Sequence, residues 1–370
     1  MIFRKGELFS GPGGLALGAK LPELYSPSGE LFKIEHAWAN DIDTWACETF
    51  RQNICNDRPD TVICGPVQEL DIKSLPDIDA FSFGFPCNDY SVVGEQKGMN
   101  GDYGPLYSYG VKVLDYHNPM FFIAENVGGL QSANDGKAFI NILTDLANAG
   151  MKGYEITPHL YKFEEYGVPQ RRHRIIIVGI RKDLGLKFKV PAPTHVSKYV
   201  TSREALENPP ISNNALNHEF TRHNKKVIEM LSYIPPGENA WYEGIPEHLR
   251  LNVEKVRMSQ IYRRLHPDQP SYTITGSGGG GTHGYHWSEN RALTNRERAR
   301  IQTFPDDYEF IGPKEMVRKQ IGMAVPPKGA EIIFHSVLCT FAGIEYPFID
   351  SKWDFDQMRA DDLVKELEYV

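Results

Sequence analysis

The first 180 residues alternate short apolar segments with longer segments of helical period, and this alternation constrains the fold more than any other feature. Such a rhythm builds a parallel sheet with helices on both faces and places ligands at the carboxyl ends of the strands. The sequence therefore predicts an α/β fold. The predicted strands are Glu7–Ser10, Phe32–Trp38, Val62–Cys64, Ala80–Phe85, Met120–Glu125 and Arg174–Arg181, and the predicted helices are 43–53, 105–117 and 136–149.

The alternation ends near residue 186. The segment 190–290 is rich in proline, asparagine, glycine and histidine, which is typical of a small domain with long loops. Helical patterns then resume at 294–302, 314–320 and 328–341, and we expect them to return to the first domain. The predicted organisation is a large domain of 1–188 with 291–345, a smaller irregular domain of 189–290, and an acidic C-terminal tail of 346–370.

Composition excludes several classes of protein. No stretch approaches the about 20 apolar residues of a membrane span, and the N-terminus has no apolar signal core, so we expect neither an anchor nor a targeting segment. The five cysteines form no metal-binding spacing, which predicts reduced thiols in a cytosol and no metal. The net charge of −8 argues against nucleic acid. However, 160–191 and 250–300 are locally basic, which fits either a cleft for a polyanion or solvated surface charge.

A glycine-rich turn, FSGPGG from Phe9 to Gly14, follows the first predicted strand. Glycine lets the backbone turn tightly and approach a ligand where a side chain would clash. Asp41 comes at the end of the next strand, where a carboxylate can accept hydrogen bonds from both hydroxyls of a ribose. A dinucleotide site, an adenosylmethionine site and a structural turn all fit this pattern.

Cys87 lies in the sequence GFPCNDYS, directly after a proline and at the carboxyl end of the fourth predicted strand. Substrates bind at this end of a parallel sheet. The thiol is thus placed as a nucleophile, although a buried structural cysteine fits the position too. The next segment, 92–105, is polar and contains four glycines, which favours a mobile lid.

Further polar groups stand at other strand ends. Glu125 ends the apolar strand MFFIA, where it is either an ordinary edge residue or a catalytic acid with a raised pKa. Gln170, Arg172 and Arg174 enter the strand IIIVGI, and alternation puts all three on one face. Inward arginines indicate an anion or a carbonyl-rich ligand, whereas a solvated strand end is the alternative.

In this order, the segments resemble the signature blocks of the DNA cytosine-5 methyltransferase family. The blocks are FxGxGG, PC within GFPC, ENV, QxRxR, RERARIQ with FPD at 296–306, and QIGMAVPP at 320–327. The resemblance covers about residues 7–181 and 291–345. It implies a Rossmann-like S-adenosylmethionine-dependent methyltransferase sheet with a second, smaller, irregular target-recognition domain.

The resemblance implies catalytic roles for four residues. Cys87, as a thiolate, would add to C6 of cytosine and activate C5 for methylation. Glu125 would hold the N3 and N4 edge of the ring and supply a proton near N3. Arg174 would hydrogen-bond O2, and Arg172 would support the site and stabilise developing charge.

The resemblance also implies S-adenosylmethionine as the cofactor. It assigns to cofactor binding Phe9, Gly11, Gly13, Gly14, Asp41, Ile42, Val67, Pro86, Leu106, Ala324 and Val325. Three positions depart from the family pattern: Pro66 stands in place of an acidic residue that contacts adenine, Asn88 in place of glutamine, and Met323 in place of asparagine. The first and last leave details of the cofactor contacts open, and none removes a reacting group.

The implied substrate is double-stranded DNA, from which the cytosine must leave the stack. Residues expected to contact DNA are Ser91, Lys97, Arg257, Arg263, Arg264, Thr273 and His283. By analogy we expect a monomeric, cytoplasmic enzyme, prokaryotic or phage-borne, with a restriction endonuclease as its functional partner. The alternatives are a tRNA cytosine-5 methyltransferase, a pyridine-nucleotide dehydrogenase, and a DNA-binding relative without catalysis.

Overall fold

The computed structural model describes residues 1–85, 106–252, 258–276 and 281–360. Within these residues, eight strands form one sheet and two short strands form another. The strands of the large sheet are β1 (Ile2–Leu8), β2 (Leu24–Tyr25), β3 (Leu31–Asp41), β4 (Val62–Cys64), β5 (Ala80–Gly84), β6 (Phe121–Val127), β7 (Tyr154–Lys162) and β8 (His173–Arg181). The small sheet pairs β9 (Val190–Pro191) with β10 (Phe348–Ile349).

The large sheet is mixed. Its order is β2-β3-β1-β5-β6-β8-β7, with β4 paired to β3. The strands β1, β3, β4, β5 and β6 run parallel, whereas β8 is antiparallel to both β6 and β7. The prediction of parallel strands is therefore correct for the centre of the sheet and wrong for the side that contains β7 and β8.

Two strands differ from their predicted ranges for identifiable reasons. No strand is predicted over β7, because Pro158 interrupts its pattern and proline cannot donate to a β-ladder. In the structure Pro158 pairs with Ile177, and β7 lies at the edge of the sheet, where proline is tolerated. The predicted strand Glu7–Ser10 instead ends at Leu8, because the backbone of Phe9 turns with a φ of 54°.

The helices agree more closely with prediction. The predicted segments 43–53 and 136–149 correspond to α2 and α4, and α3 begins at Tyr107 within the segment 105–117. The helix α1 is not predicted, because it has only seven residues and two of them are glycine. The helices are α1 (Gly14–Lys20), α2 (Thr44–Ile54), α3 (Tyr107–His117), α4 (Lys137–Asn148), α5 (Ser202–Glu207), α6 (Lys225–Ser232), α7 (Asn295–Ile301), α8 (Lys314–Met323) and α9 (Pro327–Ala342).

The core of the large sheet is aromatic. The rings of Phe81 and Phe83 stack with their centroids 5.0 Å apart, and Phe122 contacts the ring of Tyr154 edge-on at 5.1 Å. Gly179 faces Phe122 in the register of β6 and β8, and a Cβ at this glycine would lie 2.1 Å from the ring. Glycine therefore lets the ring lie against β8, the strand that also carries Arg174.

The chain divides into two compact units. The first contains 1–162, 173–193 and the chain from 329 onward, and the second contains 163–172 and 194–328. The helix α9 lies chiefly in the first unit, and α7 and α8 lie in the second. One reason is that Leu293 and Ile301 share a hydrophobic cluster with Leu265 and Ile274. The assignment of catalysis and recognition to separate domains stays a prediction.

The described part of the predicted acidic tail is packed against the first unit. The ring of Trp353 contacts Phe139 of α4 edge-on at 5.1 Å. The backbone N–H of Lys352 donates to Nδ1 of His159, at 2.9 Å. Burial lowers the pKa of His159 to about 4, so the ring is a neutral acceptor at neutral pH. Trp353, Phe355 and Met358 pack against the core cluster of the first unit.

Candidate active site

Asp41, at the end of β3, holds the glycine-rich turn. Phe9, Gly11 and Gly13 have φ values of 54°, 53° and 96°, a left-handed region that glycine adopts without strain. Asp41 Oδ2 accepts a hydrogen bond from the backbone N–H of Gly11 at 2.7 Å, and Oδ1 accepts from Asp43 N–H at 2.9 Å. The carboxylate thus ties the turn to the start of α2.

The apolar residues predicted for the cofactor lie in two kinds of environment. Val67 and Leu106 are buried in the core cluster against which Phe9 packs. The side chain of Ile42, by contrast, is 70% exposed, and a Cβ at Gly11 would meet only open space. An exposed isoleucine and an open turn beside a carboxylate fit an adenosine group, which needs an apolar surface and an acceptor for its ribose. Pro86 lies outside the described residues.

A buried ion pair in β1 was missed by the sequence pattern. Lys5 Nζ pairs with the carboxylate of Glu7 and donates to Ser82 Oγ at 2.9 Å. Both charged side chains are at most 2% exposed, and burial raises the pKa of Glu7. The available signal is two opposite charges at alternate positions, which place both side chains on one face of a strand. The predicted strand begins too late to include Lys5.

Glu125 and Arg174 form an ion pair at the end of β6. Arg174 Nε lies 2.8 Å from Glu125 Oε1, and each side chain is 14% exposed. The register of β6 and β8 brings them together, because Val127 pairs with Arg174. Burial lowers the pKa of Arg174, and the charge of Glu125 opposes that shift. Gly84 of the neighbouring strand β5 pairs with Glu125, and a Cβ added at Gly84 would lie 3.1 Å from Glu125 Oε2.

Asn126 holds the strand that leads to the predicted nucleophile. Its side-chain N–H donates to the carbonyl of Phe85 at 3.2 Å, and its Oδ1 accepts from the backbone N–H of Val127 at 2.8 Å. The side chain is buried. Phe85 is the last described residue before the PC motif. Several sequence predictions lie outside the described residues. They are the site residues Cys87, Ser91 and Lys97, the departure from the family pattern at Asn88, and the segment 92–105.

Gln170 and Arg172 do not continue the strand of Arg174, because β8 begins at His173. The prediction that alternation places all three on one strand face is therefore wrong. Arg172 donates to the carbonyls of Ile274 and Gly322, each at 3.1 Å. Gln170, Arg172 and the two carbonyls belong to the second unit, whereas Arg174 belongs to the first.

Hydrogen bonds within the second unit also involve the two blocks at 296–306 and 320–327. Gln170 Nε2 donates to Gln302 Oε1 at 2.9 Å, and Gln302 Nε2 donates to the carbonyl of Ile321 at 2.6 Å. Ala324 and Val325 follow at the end of α8 and are buried, whereas Met323 is 66% exposed. The assignment of Ala324 and Val325 to cofactor binding stays a prediction.

The residues predicted to contact DNA differ in availability. Arg263 lies over the ring of Tyr272 at 4.8 Å, and Thr273 Oγ1 donates to the carbonyl of Arg171 at 2.6 Å. Burial and the nearby Arg318 lower the pKa of His283 to about 4, so its ring carries no charge for a phosphate at neutral pH. Arg257 lies outside the described residues.

Arg264 requires a correction. It is 4% exposed, and its guanidinium donates to four main-chain carbonyls and one side-chain oxygen. The acceptors are Leu231, Ile234, His286, Glu289 and the Oδ1 of Asn290, at 2.8–3.1 Å. A buried guanidinium with this set of partners binds the protein's own loops, so we remove Arg264 from the DNA-contacting residues.

A mixed α/β sheet with a glycine-rich turn after β1 and a carboxylate after β3 defines the class of enzymes that bind an adenosine-containing cofactor. Residues 3–339 match the family model described as C-5 cytosine-specific DNA methylase. The chain therefore belongs to the C-5 cytosine-specific DNA methylase family. It is a DNA cytosine-5 methyltransferase with S-adenosylmethionine as its methyl donor.

Two relatives are bacterial type II methyltransferases. The chain is 73% identical to M.BbvI of Brevibacillus brevis, over 100% of both chains. It is 43% identical to M.NgoFVII of Neisseria gonorrhoeae, over 91% of this chain and 86% of the relative. The fold also matches a solved structure from Escherichia coli, a prophage protein described as a DNA modification methyltransferase, with a TM-score of 0.67. The two chains are 24% identical, and the match covers 91% of this chain and 99% of the other. The predicted family and methyltransferase fold are confirmed.

Among the described residues, no helix is long and apolar enough to cross a membrane. The same part of the chain contains no group of three or more metal-ligating side chains that could hold an ion.

Proposed function

We propose that this methyltransferase acts on a cytosine flipped out of duplex DNA, through a covalent adduct with Cys87. The observation that carries the proposal is the Glu125–Arg174 ion pair at the end of β6. The neighbouring strand β5 ends at Gly84, and the chain continues from there to Cys87 within three residues. Because parallel strands end at one edge of a sheet, the carboxylate and the guanidinium lie at the edge where β5 ends, three residues before Cys87 in the sequence.

The chemistry requires these three groups because C5 of cytosine is a weak nucleophile. The Cys87 thiolate would form a bond to C6, which leaves C5 enamine-like and able to accept the methyl group. S-adenosylmethionine supplies that methyl group when bound. Loss of the C5 proton and expulsion of the Cys87 thiolate would then restore the aromatic ring and free the enzyme.

Glu125 and Arg174 would hold the cytosine while the ring gains charge. Glu125 would contact the N3 and N4 edge and supply a proton near N3, and Arg174 would donate to O2. Their mutual 2.8 Å contact orients both side chains before substrate arrives, and their partial exposure leaves donors and acceptors for it. Arg172 would act indirectly, by holding the loops at Ile274 and Gly322.

For the cofactor, we assign the ribose to Asp41 and the adenine to Ile42, Val67 and Leu106. The turn from Phe9 through Gly11, Gly13 and Gly14 would surround the methionine part, with Pro86, Ala324 and Val325. Support comes from the open turn, the exposed Ile42 and the Asp41 carboxylate. The hydrogen bonds that Asp41 already makes to the turn mean that its loss would disturb the loop as well as the ribose contact.

The segment 189–290 would supply sequence recognition, since its irregular loops can present side chains to base edges. Arg257, Arg263 and Thr273 stay candidates for DNA contacts, with Ser91 and Lys97 from the chain around the 92–105 segment. Flipping is required because neither a thiol nor a methyl donor can reach C5 inside the stack.

The bacterial type II relatives support a further proposal about context. Methylation would protect DNA from a cognate restriction endonuclease, a functional partner that need not bind this chain. We propose a monomeric enzyme that acts in the cytoplasm of a prokaryote.

Transfer of a radiolabelled methyl group to duplex DNA and to tRNA tests the substrate. We expect labelled DNA and unlabelled tRNA, and the reverse result would establish a tRNA methyltransferase. A duplex library containing 5-fluorocytosine tests the adduct, because fluorine at C5 cannot leave as a proton does. The parent should form a covalent complex with this DNA, and Cys87→Ser should not. Labelled DNA without a trapped complex would contradict the covalent mechanism alone.

A further inference from the structure

A small cavity in the second unit contains a buried arginine that the proposed mechanism does not use. The cavity is lined by Gln260, Thr273, Thr275, Thr282, His283 and Arg298. Arg298, on α7, is 3% exposed, and within the described residues its Nε has no hydrogen-bond partner. A buried cation without hydrogen bonds is costly, so its retention needs a physical reason.

Arg296, two residues earlier on the same helix, shows how a structural arginine is satisfied here. It is fully buried and donates to the main-chain carbonyls of Leu216, Pro305 and Tyr308, at 2.7–2.8 Å. Arg298 is similarly buried and has none of these acceptors. The difference indicates that no carbonyl of the described residues is the partner of Arg298.

Among the described residues, no carboxylate forms an ion pair with Arg298. The charge of the Glu297 carboxylate favours the charged form of Arg298. However, Arg291 already binds both oxygens of Glu297, each at 2.8 Å. On the other side, Arg318 donates to the neutral His283 ring at 2.5 Å. Burial lowers the pKa of Arg298 only to about 10, so its guanidinium stays charged at neutral pH.

We propose that this cavity binds a phosphate oxygen of the DNA backbone, with Arg298 as the charged donor. A phosphodiester oxygen accepts charge-assisted hydrogen bonds from a guanidinium. The buried Oε1 of Gln260 has no hydrogen-bond partner among the described residues, and rotation of the carboxamide would present Nε2 to the phosphate. The inference rests on DNA being the substrate, as proposed above.

The salt dependence of DNA binding tests the site. Each phosphate contact contributes about 0.9 to the slope of log affinity against log salt. For Arg298→Met on a random-sequence duplex, we expect the slope to fall by about one. Between 50 and 200 mM salt the variant would then lose about 3.5-fold less affinity than the parent. At low salt its affinity should be about tenfold or more below the parent, since a charge-assisted hydrogen bond is lost.

Stability without DNA separates binding from structure. Arg298→Met should melt at the same temperature as the parent or higher, because a buried charge leaves and no hydrogen bond is broken. The matched control Arg296→Met should melt lower and keep the parental salt slope, and Arg298→Lys should keep the slope because it keeps the charge. If Arg298→Met melts lower, fails to fold or keeps the parental slope, the proposal is overturned.

A third measurement distinguishes the DNA backbone from free oxyanion. Inorganic phosphate at constant ionic strength should raise the Tm of the parent by little, because an isolated ion lacks the other contacts of DNA. If phosphate raises the Tm through Arg298 while the DNA slope does not depend on this residue, the site binds free oxyanion and the assignment to DNA is wrong. Methyl transfer by the parent is measured first. Failure on DNA contradicts the proposed function, whereas an active parent with an unchanged slope contradicts only the Arg298 site.

Discussion

The two compact units use their arginines differently. In the first, Arg174 lies at a strand end, binds Glu125 and stays partly exposed. In the second, Arg264 and Arg296 are at most 4% exposed and donate chiefly to main-chain carbonyls. In a regular sheet, backbone carbonyls accept hydrogen bonds from the N–H groups of neighbouring strands. Buried carbonyls in irregular loops need other donors, such as side chains. Arg174 is thus held at a strand end by a carboxylate, whereas Arg264 and Arg296 are held chiefly by main-chain carbonyls.

Removal of the nucleophile should produce the largest effect and confine it to chemistry. Cys87→Ser should abolish methyl transfer, because a hydroxyl without a dedicated base is a far weaker nucleophile than a thiolate. DNA binding should persist, because its energy comes largely from phosphate contacts. The two are measured by radiolabel transfer and by gel shift. Turnover within about tenfold of the parent would contradict the covalent mechanism.

In the second unit, Arg264→Met should lower the free energy of unfolding by more than about 3 kcal/mol, since five hydrogen bonds of about 1 kcal/mol each are lost. The adjacent Arg263→Met is the matched control. Its guanidinium lies over the Tyr272 ring, a contact worth about 1 kcal/mol or less. Urea denaturation measures both. Equal effects at the two positions would break the comparison between the units.

For the turn after β1, Asp41→Ala should weaken cofactor binding by about 10- to 150-fold, since charged hydrogen bonds are worth about 1.5–3 kcal/mol. The change also removes the acceptor of the Gly11 and Asp43 N–H groups. Asp41→Asn keeps one acceptor oxygen and should lose less. Calorimetry that finds parental affinity for Asp41→Ala would place the ribose elsewhere.

The smallest effect is expected at Asn126, which we interpret as a positioning residue. Asn126→Ala should lower kcat by about fivefold, because the side-chain hydrogen bond to the Phe85 carbonyl is lost, and one such bond is worth about 1 kcal/mol. The cofactor Kd should not change. Asn126→Asp keeps the acceptor for Val127 but not the donor, so it should resemble the alanine variant. Restored activity in Asn126→Asp would show that the Phe85 contact is unimportant.

The sequence was sufficient to predict the groups that lie at strand ends. Glu125 and Arg174 adjoin apolar segments whose period is clear, so their place in the sheet follows from the pattern. Arg263 and Arg264, by contrast, are identical neighbours in a loop. One lies on a tyrosine ring and the other is buried among carbonyls. No local period distinguishes them, because loop geometry depends on contacts with distant segments such as Leu231 and Glu289.

The sheet itself shows the same limit. Its parallel strands were predictable, but β7 was hidden by Pro158, and its position at an edge becomes evident only from the complete strand order. The Lys5–Glu7 pair was equally hidden, because two charges in a strand argue against burial unless a partner such as Ser82 is known.

The first unit is built from residues that precede and residues that follow the segment 194–328, and this affects the order of events during synthesis. Phe341 of α9 contacts Phe3 at 4.9 Å and Phe121 at 5.6 Å, and Trp353 covers Phe139. A ribosome releases the large sheet before residues 194–328, and it releases α9 and Trp353, which cover parts of the core, after them. Domains generally fold as units during translation. Residues 194–328 can therefore fold before the first unit acquires its full core, because α9 and Trp353 emerge after them.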